Sequence, residues 1–155
     1  MNRPATLLVL LLAGLLAGCG GGSRPTGIRA AETPADDVAE YQPRWRSHTV
    51  DSTQYRKVFL AGTIDMGRSS DWQAALVARF RDSIGGRWLF FNPRRREFHA
   101  SPAEMEYQVA WELAHLEAAD LIVMNLLGDS RSPISLLEMG LYARSGKLFV
   151  ACSPD

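Results

Sequence analysis

The chain has 155 residues, with 17 Lys and Arg balancing 17 Asp and Glu. That is room for one modest domain plus appendages, and gives no net charge to recruit nucleic acid. Two cysteines, Cys19 and Cys152, and three scattered histidines, His48, His99 and His115, exclude a disulfide scaffold and show no metal-ligand spacing, so neither a structural metal nor a cofactor is expected. At the N-terminus, Met1-Asn2-Arg3 is a short positive start and the run from Ala5 to Ala17 is almost wholly Leu, Val, Ala and Gly. It is too short for a comfortable membrane span and ends in small residues, so residues 1–18 read as an export signal. Residues 19–56 turn to Gly, Pro, Ala, Ser and Thr with alternating charge and little apolar periodicity, which predicts a flexible tether in which Tyr41 and Trp45 need no docking partner.

Order is expected from Lys57-Val58-Phe59-Leu60-Ala61, a short apolar run that stops at Gly62-Thr63-Ile64-Asp65 as a buried parallel strand does. Ser70, with Gln73 three positions on, predicts a capping box for a helix carrying Trp72, Leu76 and Phe80 at four-residue steps. Arg87-Trp88-Leu89-Phe90-Phe91 is a second strand, stopped by Asn92-Pro93. Ser101, Pro102 and Glu104 give cap, first turn and capping box to a second helix, with Met105, Val109, Leu113 and Leu116 as its apolar stripe. A third strand follows over 120–126. Ser132 and Pro133 start a third helix that Gly146 closes, and Leu148-Phe149-Val150-Ala151-Cys152 is a fourth strand, with Cys152 as a buried small hydrophobe. Strand and helix alternate throughout, so a doubly wound α/β domain with a parallel sheet covered on both faces is expected over 57–155. Its ligand belongs outside the carboxyl ends of the strands, at the loops 62–69, 92–100 and 127–131.

Two helices carry polar anomalies. Glu138 stands among Leu136, Leu137 and Met139, one step round from the face made by Ile134, Leu137 and Leu141. A carboxylate so placed reaches water at a cleft or costs several kcal/mol unless paired; an ordinary amphipathic helix with one solvated Glu is the competing reading. Gly140 costs about 1 kcal/mol inside a helix and suggests a close approach to the backbone. On the preceding helix Glu104, Gln108 and Glu112 stack at four-residue steps with Trp111 adjacent, either a polar pair aimed at one pocket or a solvated face. Arg94, Arg95 and Arg96 are either a clamp for phosphate or carboxylate or a solvated basic turn. Of these Arg94 is the candidate, and Asn92 faces the expected cleft.

Two resemblances add to this reading. Leu16-Ala17-Gly18-Cys19 resembles the lipobox of bacterial lipoproteins, which implies cleavage before Cys19, a lipid on that residue, and a domain held at the cell envelope outside the cytoplasm. Phe59-Leu60-Ala61-Gly62-Thr63-Ile64, Asp71-Trp72-Gln73, Asn92-Pro93-Arg94-Arg95, Gln108 with Trp111-Glu112, Ala119-Asp120, and Pro133 to Gly140 together resemble the nucleoside 2-deoxyribosyltransferase-like family over nearly all of 57–152. The resemblance implies a flavodoxin-like sheet, a nucleoside or nucleotide substrate, and Glu138 as the nucleophile that attacks the anomeric carbon, with Glu112 as its acidic partner. It further implies a substrate site drawn from Gly62, Thr63, Asp65, Trp72, Asn92, Arg94, Gln108, Trp111, Ser132 and Gly140, and assembly as a homo-oligomer. Such a site breaks an N-glycosidic bond by stabilising positive charge on the sugar or by forming a glycosyl-enzyme, with an acceptor base giving transfer and water giving hydrolysis. Ser132 stands where the family's transferases carry an Asp that contacts the base, and Glu112 is one methylene longer than the family's Asp. The chain stops just past its fourth strand, so the sheet is either truncated or unusually small. A lipoprotein that binds a nucleotide-like ligand or a protein partner without turnover is the alternative function.

Overall fold

The computed structural model describes residues 37–97, 99 and 101–152; the expected export signal, Cys19 and the tether up to residue 36 lie outside the described residues. Six strands, β1 (Val38–Gln42), β2 (Trp45–Arg46), β3 (Arg56–Gly62), β4 (Trp88–Phe91), β5 (Leu121–Leu126) and β6 (Leu148–Cys152), form one sheet, with helices α1 (Trp72–Ser83), α2 (Pro102–Ala118) and α3 (Pro133–Tyr142) between the later strands. The strand order is β2-β1-β4-β3-β5-β6. All neighbours are parallel except β1 and β2.

The central strands are apolar on both faces because both faces are covered. Val58 and Leu60 of β3 pack with Trp72, Leu76, Val77 and Phe80 of α1. Phe59 and Ala61, pointing the other way, pack with Leu116 and the half-buried Trp111 and Met139 of α2 and α3. From β3 the chain goes through α1 to β4 on one side, then back through α2 to β5 on the other. The order therefore reverses between β3 and β5, which opens a crevice at their carboxyl ends. The alternating pattern of strands and helices thus builds the doubly wound α/β sheet its spacing predicts.

The tether is the first correction. Residues 38–42 are a strand paired in parallel with β4 from Val38 opposite Trp88 to Tyr41 opposite Phe91, with Val38, Ala39 and Tyr41 buried. The Tyr41 ring lies 6.2 Å from that of Phe91 and its hydroxyl accepts from Val50 N–H at 3.1 Å. Five residues with a charge in the middle show too little alternation to stand out from their polar flanks; they form a strand because β4 offers them a ladder. Residues 52–54 add a 3-10 turn capped by Asp51.

The helix starts differ in detail from the expected caps. Asp71, not Ser70, caps α1, its side chain accepting from Ala74 N–H. Ser101 caps α2 as its sequence predicts, accepting from Glu104 N–H at 3.2 Å, but the Glu104 carboxylate turns to arginines instead of closing a capping box. Ser132 precedes α3 in the left-handed region and makes no capping bond.

Two further corrections concern which way the helices face. On α2, Leu116 is buried, whereas Met105, Val109 and Leu113 are exposed; on α3, Ile134, Leu137 and Leu141 are 60–69% exposed while Ser135 and Glu138 are buried. α3 thus turns Ile134, Leu137 and Leu141 outward and Ser135 and Glu138 inward, while the α2 stripe splits between the core and the surface. Cys152, on the edge strand β6, is exposed and free, not buried.

Candidate active site

The crevice is built on one close approach. Gly62 ends β3 at φ 119°, and a Cβ there would stand 2.1 Å from the backbone oxygen of Asn125 in β5, so only glycine lets the two strand ends meet. Thr63, fully buried, then ties three segments together. Its N–H donates to Asn125 O at 2.9 Å, its Oγ1 accepts from Leu127 N–H at 3.0 Å, and the same oxygen lies 2.7 Å from Ser132 Oγ. This is why Ser132 leaves α3 uncapped: its hydroxyl is held by Thr63.

The resulting cleft encloses about 530 Å³, within the range of small-molecule sites. The end of β3 and the loop after it supply Gly62, Ile64, Asp65 and Met66, and the segment after β4 supplies Pro93. α2 supplies Gln108 and Glu112, and the segment into α3 supplies Ser132, Ser135 and Glu138. Two acidic side chains from different helices thus open onto one space.

Their environments differ. Glu138 is 9% exposed, and among the described residues its carboxylate has no hydrogen-bonding or ionic partner. Burial, followed by repulsion from Glu112, pushes its pKa up from 4.5 to about 7, because both effects penalise the charged form. Glu112 is also raised by burial, but Gln108 and the positive Arg95 pull the other way. Gln108 Nε2 donates to Glu112 Oε1 at 2.5 Å and to Pro93 O at 3.0 Å, while its Oε1 accepts from Arg95 Nε.

Of the residues that the sequence nominates, Gly62, Asp65, Gln108, Glu112, Ser132 and Glu138 line the cleft; Thr63, Trp72, Asn92, Arg94, Trp111 and Gly140 do not. Trp72 packs in the core beneath α1 and donates its indole N–H to Thr63 O at 2.9 Å. Asn92 bonds Glu40 and its own loop. Arg94 is buried against the start of α1, donating to Ser69 O at 2.6 Å and Ser70 O at 3.2 Å. Trp111 stacks on His115 at 4.0 Å. Nothing approaches Gly140, where a Cβ would meet open space.

Sequence reasoning passed over Ser135, which is buried at the cleft, and singled out Arg94 where Arg95 is the arginine bonded to the cleft residue Gln108. Successive side chains of an extended segment point to opposite sides, so Arg94 turns to α1 and Arg95 to Gln108 and α2. The alternation after the β4 strand was the available signal.

Residues 55–155, about two-thirds of the chain, match the family model described as nucleoside 2-deoxyribosyltransferase like. The chain belongs to the nucleoside 2-deoxyribosyltransferase-like family. Comparison with curated proteins gives no match. The matched residues contain Glu112, Glu138 and every segment that lines the cleft, but not β1 and β2.

Proposed function

We propose that this member of the nucleoside 2-deoxyribosyltransferase-like family cleaves or exchanges the N-glycosidic bond of a nucleoside or nucleotide, with Glu138 as nucleophile and Glu112 as its partner. The observation that carries the reading is the convergence of Glu138 and Glu112 on one cleft at the β3/β5 reversal. An ionised Glu138 oxygen attacks the anomeric carbon as the bond to the base breaks, and the base leaves with its electron pair and takes up a proton. Water or an acceptor base then attacks the same carbon, releases the sugar from Glu138, and restores the carboxylate. Glu112, held at one oxygen by Gln108, has its other oxygen for a sugar hydroxyl or the travelling proton. A Glu138 pKa of about 7 keeps a substantial ionised fraction at neutral pH without fixing the charge in an ion pair.

The test is incubation of the full chain with a panel of deoxynucleosides and their 5′-phosphates, with and without an acceptor base. Base release that disappears in Glu138→Gln supports the reading, and a variant as active as wild type overturns it.

The second reading, ligand binding without turnover, is favoured by Ser132: the position that would face the base carries a hydroxyl already bonded to Thr63 and Ser130. Thermal stabilisation by nucleosides with no product formed is its signature.

The proposal extends to the rest of the molecule. Residues 1–18 direct export, Cys19 carries the lipid, and residues 20–36 space the domain from a bacterial envelope membrane. The outward apolar stripes of α2 and α3 are the face on which a second copy docks. A two-fold interface pairs one such patch with its own copy, and Met105, Val109 and Ile134 of these stripes also line the cleft.

A further inference from the structure

A continuous chain of polar contacts joins the β1–β2 hairpin, which the family match leaves out, to Glu112 at the cleft. At the hairpin turn Arg44 donates to Glu104 Oε1 at 2.7 Å, lies 4.1 Å from the Tyr107 ring centre, and donates its N–H to the Tyr107 hydroxyl at 3.3 Å. The other Glu104 oxygen accepts from Arg95 Nη1 at 2.7 Å, and Arg95 Nη2 donates to Glu104 O at 2.8 Å. Arg95 Nε then donates to Gln108 Oε1, and Gln108 donates to Glu112. Around this line the hairpin holds the loop that carries Arg95. Asn92 Nδ2 donates to Glu40 Oε1 at 2.8 Å, Asn92 N–H donates to Tyr41 O at 2.8 Å, Arg96 Nε donates to Gln42 Oε1 at 3.1 Å, and the Arg96 guanidinium sits 3.7 Å over the Trp45 ring.

The geometry fixes more than the fold requires. A primary amide donates two in-plane N–H bonds and accepts at its oxygen, and its oxygen and nitrogen exchange places by a half-turn. With Arg95 donating to Gln108 Oε1 and Pro93 O accepting from Nε2, only one orientation satisfies every partner, and in it Gln108 must donate toward Glu112. Two forked contacts to Glu104 fix the Arg95 guanidinium in its plane, and its side chain is only 9% exposed, so its charge acts on Glu112 with little screening.

We propose that Arg95 is a positioning residue for Glu112, acting through Gln108, and that the β1–β2 hairpin is the brace that holds Arg95 to this task. The proposal rests on the reading of Glu112 as the working partner of Glu138. Arg95 never meets substrate; it orients the amide that orients the carboxylate, and its charge favours the ionised form. The other charged groups at the cleft are Asp65 from the loop after β3, Asp129 and Arg131 from the segment before α3, and Glu138 from α3 itself. His115 follows Glu112 on α2, with its ring on Trp111.

The test combines a turnover assay with a readout independent of turnover. Full chain labelled with carbon-13 at glutamate side-chain carboxyls is titrated by NMR, with the Glu112 signal assigned through Glu112→Gln, for wild type, Arg95→Met, Arg95→Lys and Arg44→Ala. Loss of the neighbouring cation in Arg95→Met moves the Glu112 midpoint up by about one pH unit. The same variant lowers kcat by about tenfold to a hundredfold, as a misplaced reacting group does, with KM little changed. Arg95→Lys, which keeps the charge and loses the fork, brings the midpoint back toward wild type, and Arg44→Ala, at an exposed residue, gives a smaller shift in the same direction. An unmoved Glu112 midpoint in Arg95→Met overturns the positioning role. Should that variant not fold, wild-type midpoint and kcat in Arg44→Ala overturn the brace. A wild-type chain that releases no base sinks the glycosidic reading alone, while the titrations still decide whether Arg95 sets the state of Glu112.

Discussion

Glu138 is the residue on which chemistry and stability pull in opposite directions. Its carboxyl titrates near 7 when folded against an ordinary 4.5, so ionising it above pH 7 works against the fold. A raised carboxyl pKa contributes stability below the unfolded value and loses it as pH rises through the folded one. Glu138→Gln is therefore expected to be more stable than wild type at pH 8, by at most about 3 kcal/mol, with the gain vanishing below about pH 4.5; denaturation across that range checks it. Catalysis needs the opposite form, so kcat of the wild type is expected to climb with pH through about 7 and level off above it. That limb belongs to the Glu138–Glu112 pair, because the two repel one another. A flat profile between pH 5 and 8 would contradict the nucleophile assignment. Glu138 was legible in the sequence because a carboxylate between Leu137 and Met139 calls for an explanation. Gly140 was not, because a helix glycine beside open space looks the same in a sequence as one beside a backbone.

At the scale of elements, the strands from β3 on were readable, and so were the carboxylates that the site helices aim at the cleft, but the outward exposure of most of their apolar residues was not. β3, β4, β5 and β6 announce themselves as apolar runs because each is covered or half-covered by helices. On α2 and α3 the more apolar stripe was expected to face the core, but these helices border a cleft into which Gln108, Glu112, Ser135 and Glu138 point, and Met105, Val109 and Ile134 of the stripes line it too. Periodicity finds a face; it does not say which side of the face holds the site. The loop geometry was half legible: Gly62 marks the end of β3, but its approach to Asn125 is a contact between segments distant in sequence. Gly62→Ala places a methyl 2.1 Å from a backbone oxygen at a φ that only glycine adopts easily. It is expected to cost about 3 kcal/mol or more, measured by chemical denaturation, and to lower activity in whatever protein still folds.

For the whole molecule, two expectations separate the structure from what the sequence suggested. Tyr41 lies in the stretch that reads as a tether, where a truncation to alanine would change stability by no more than about 0.5 kcal/mol. In the sheet it loses a buried ring and the bond to Val50, so Tyr41→Ala is expected to destabilise by about 3 kcal/mol. The outward stripes make the second case. Leu137→Glu, at a side chain 66% exposed, should leave the melt of a monomer unchanged and break apart a dimer that uses α3. Light scattering of the two proteins at equal concentration distinguishes these results, and a wild-type chain that is already monomeric removes the docking face.

The parallel ladder between β1 and β4 also has a mechanical consequence. The chain enters the sheet at Val38, at the end remote from the cleft, while Arg44 and its partners sit at the opposite end. Any load drawn through the preceding residues meets this ladder first and would have to shear or peel it before disturbing β3. Once β1 is drawn out, Arg44 loses its hold on Glu104, so such stretching would slacken the support of Glu112 while the sheet from β4 to β6 was still intact.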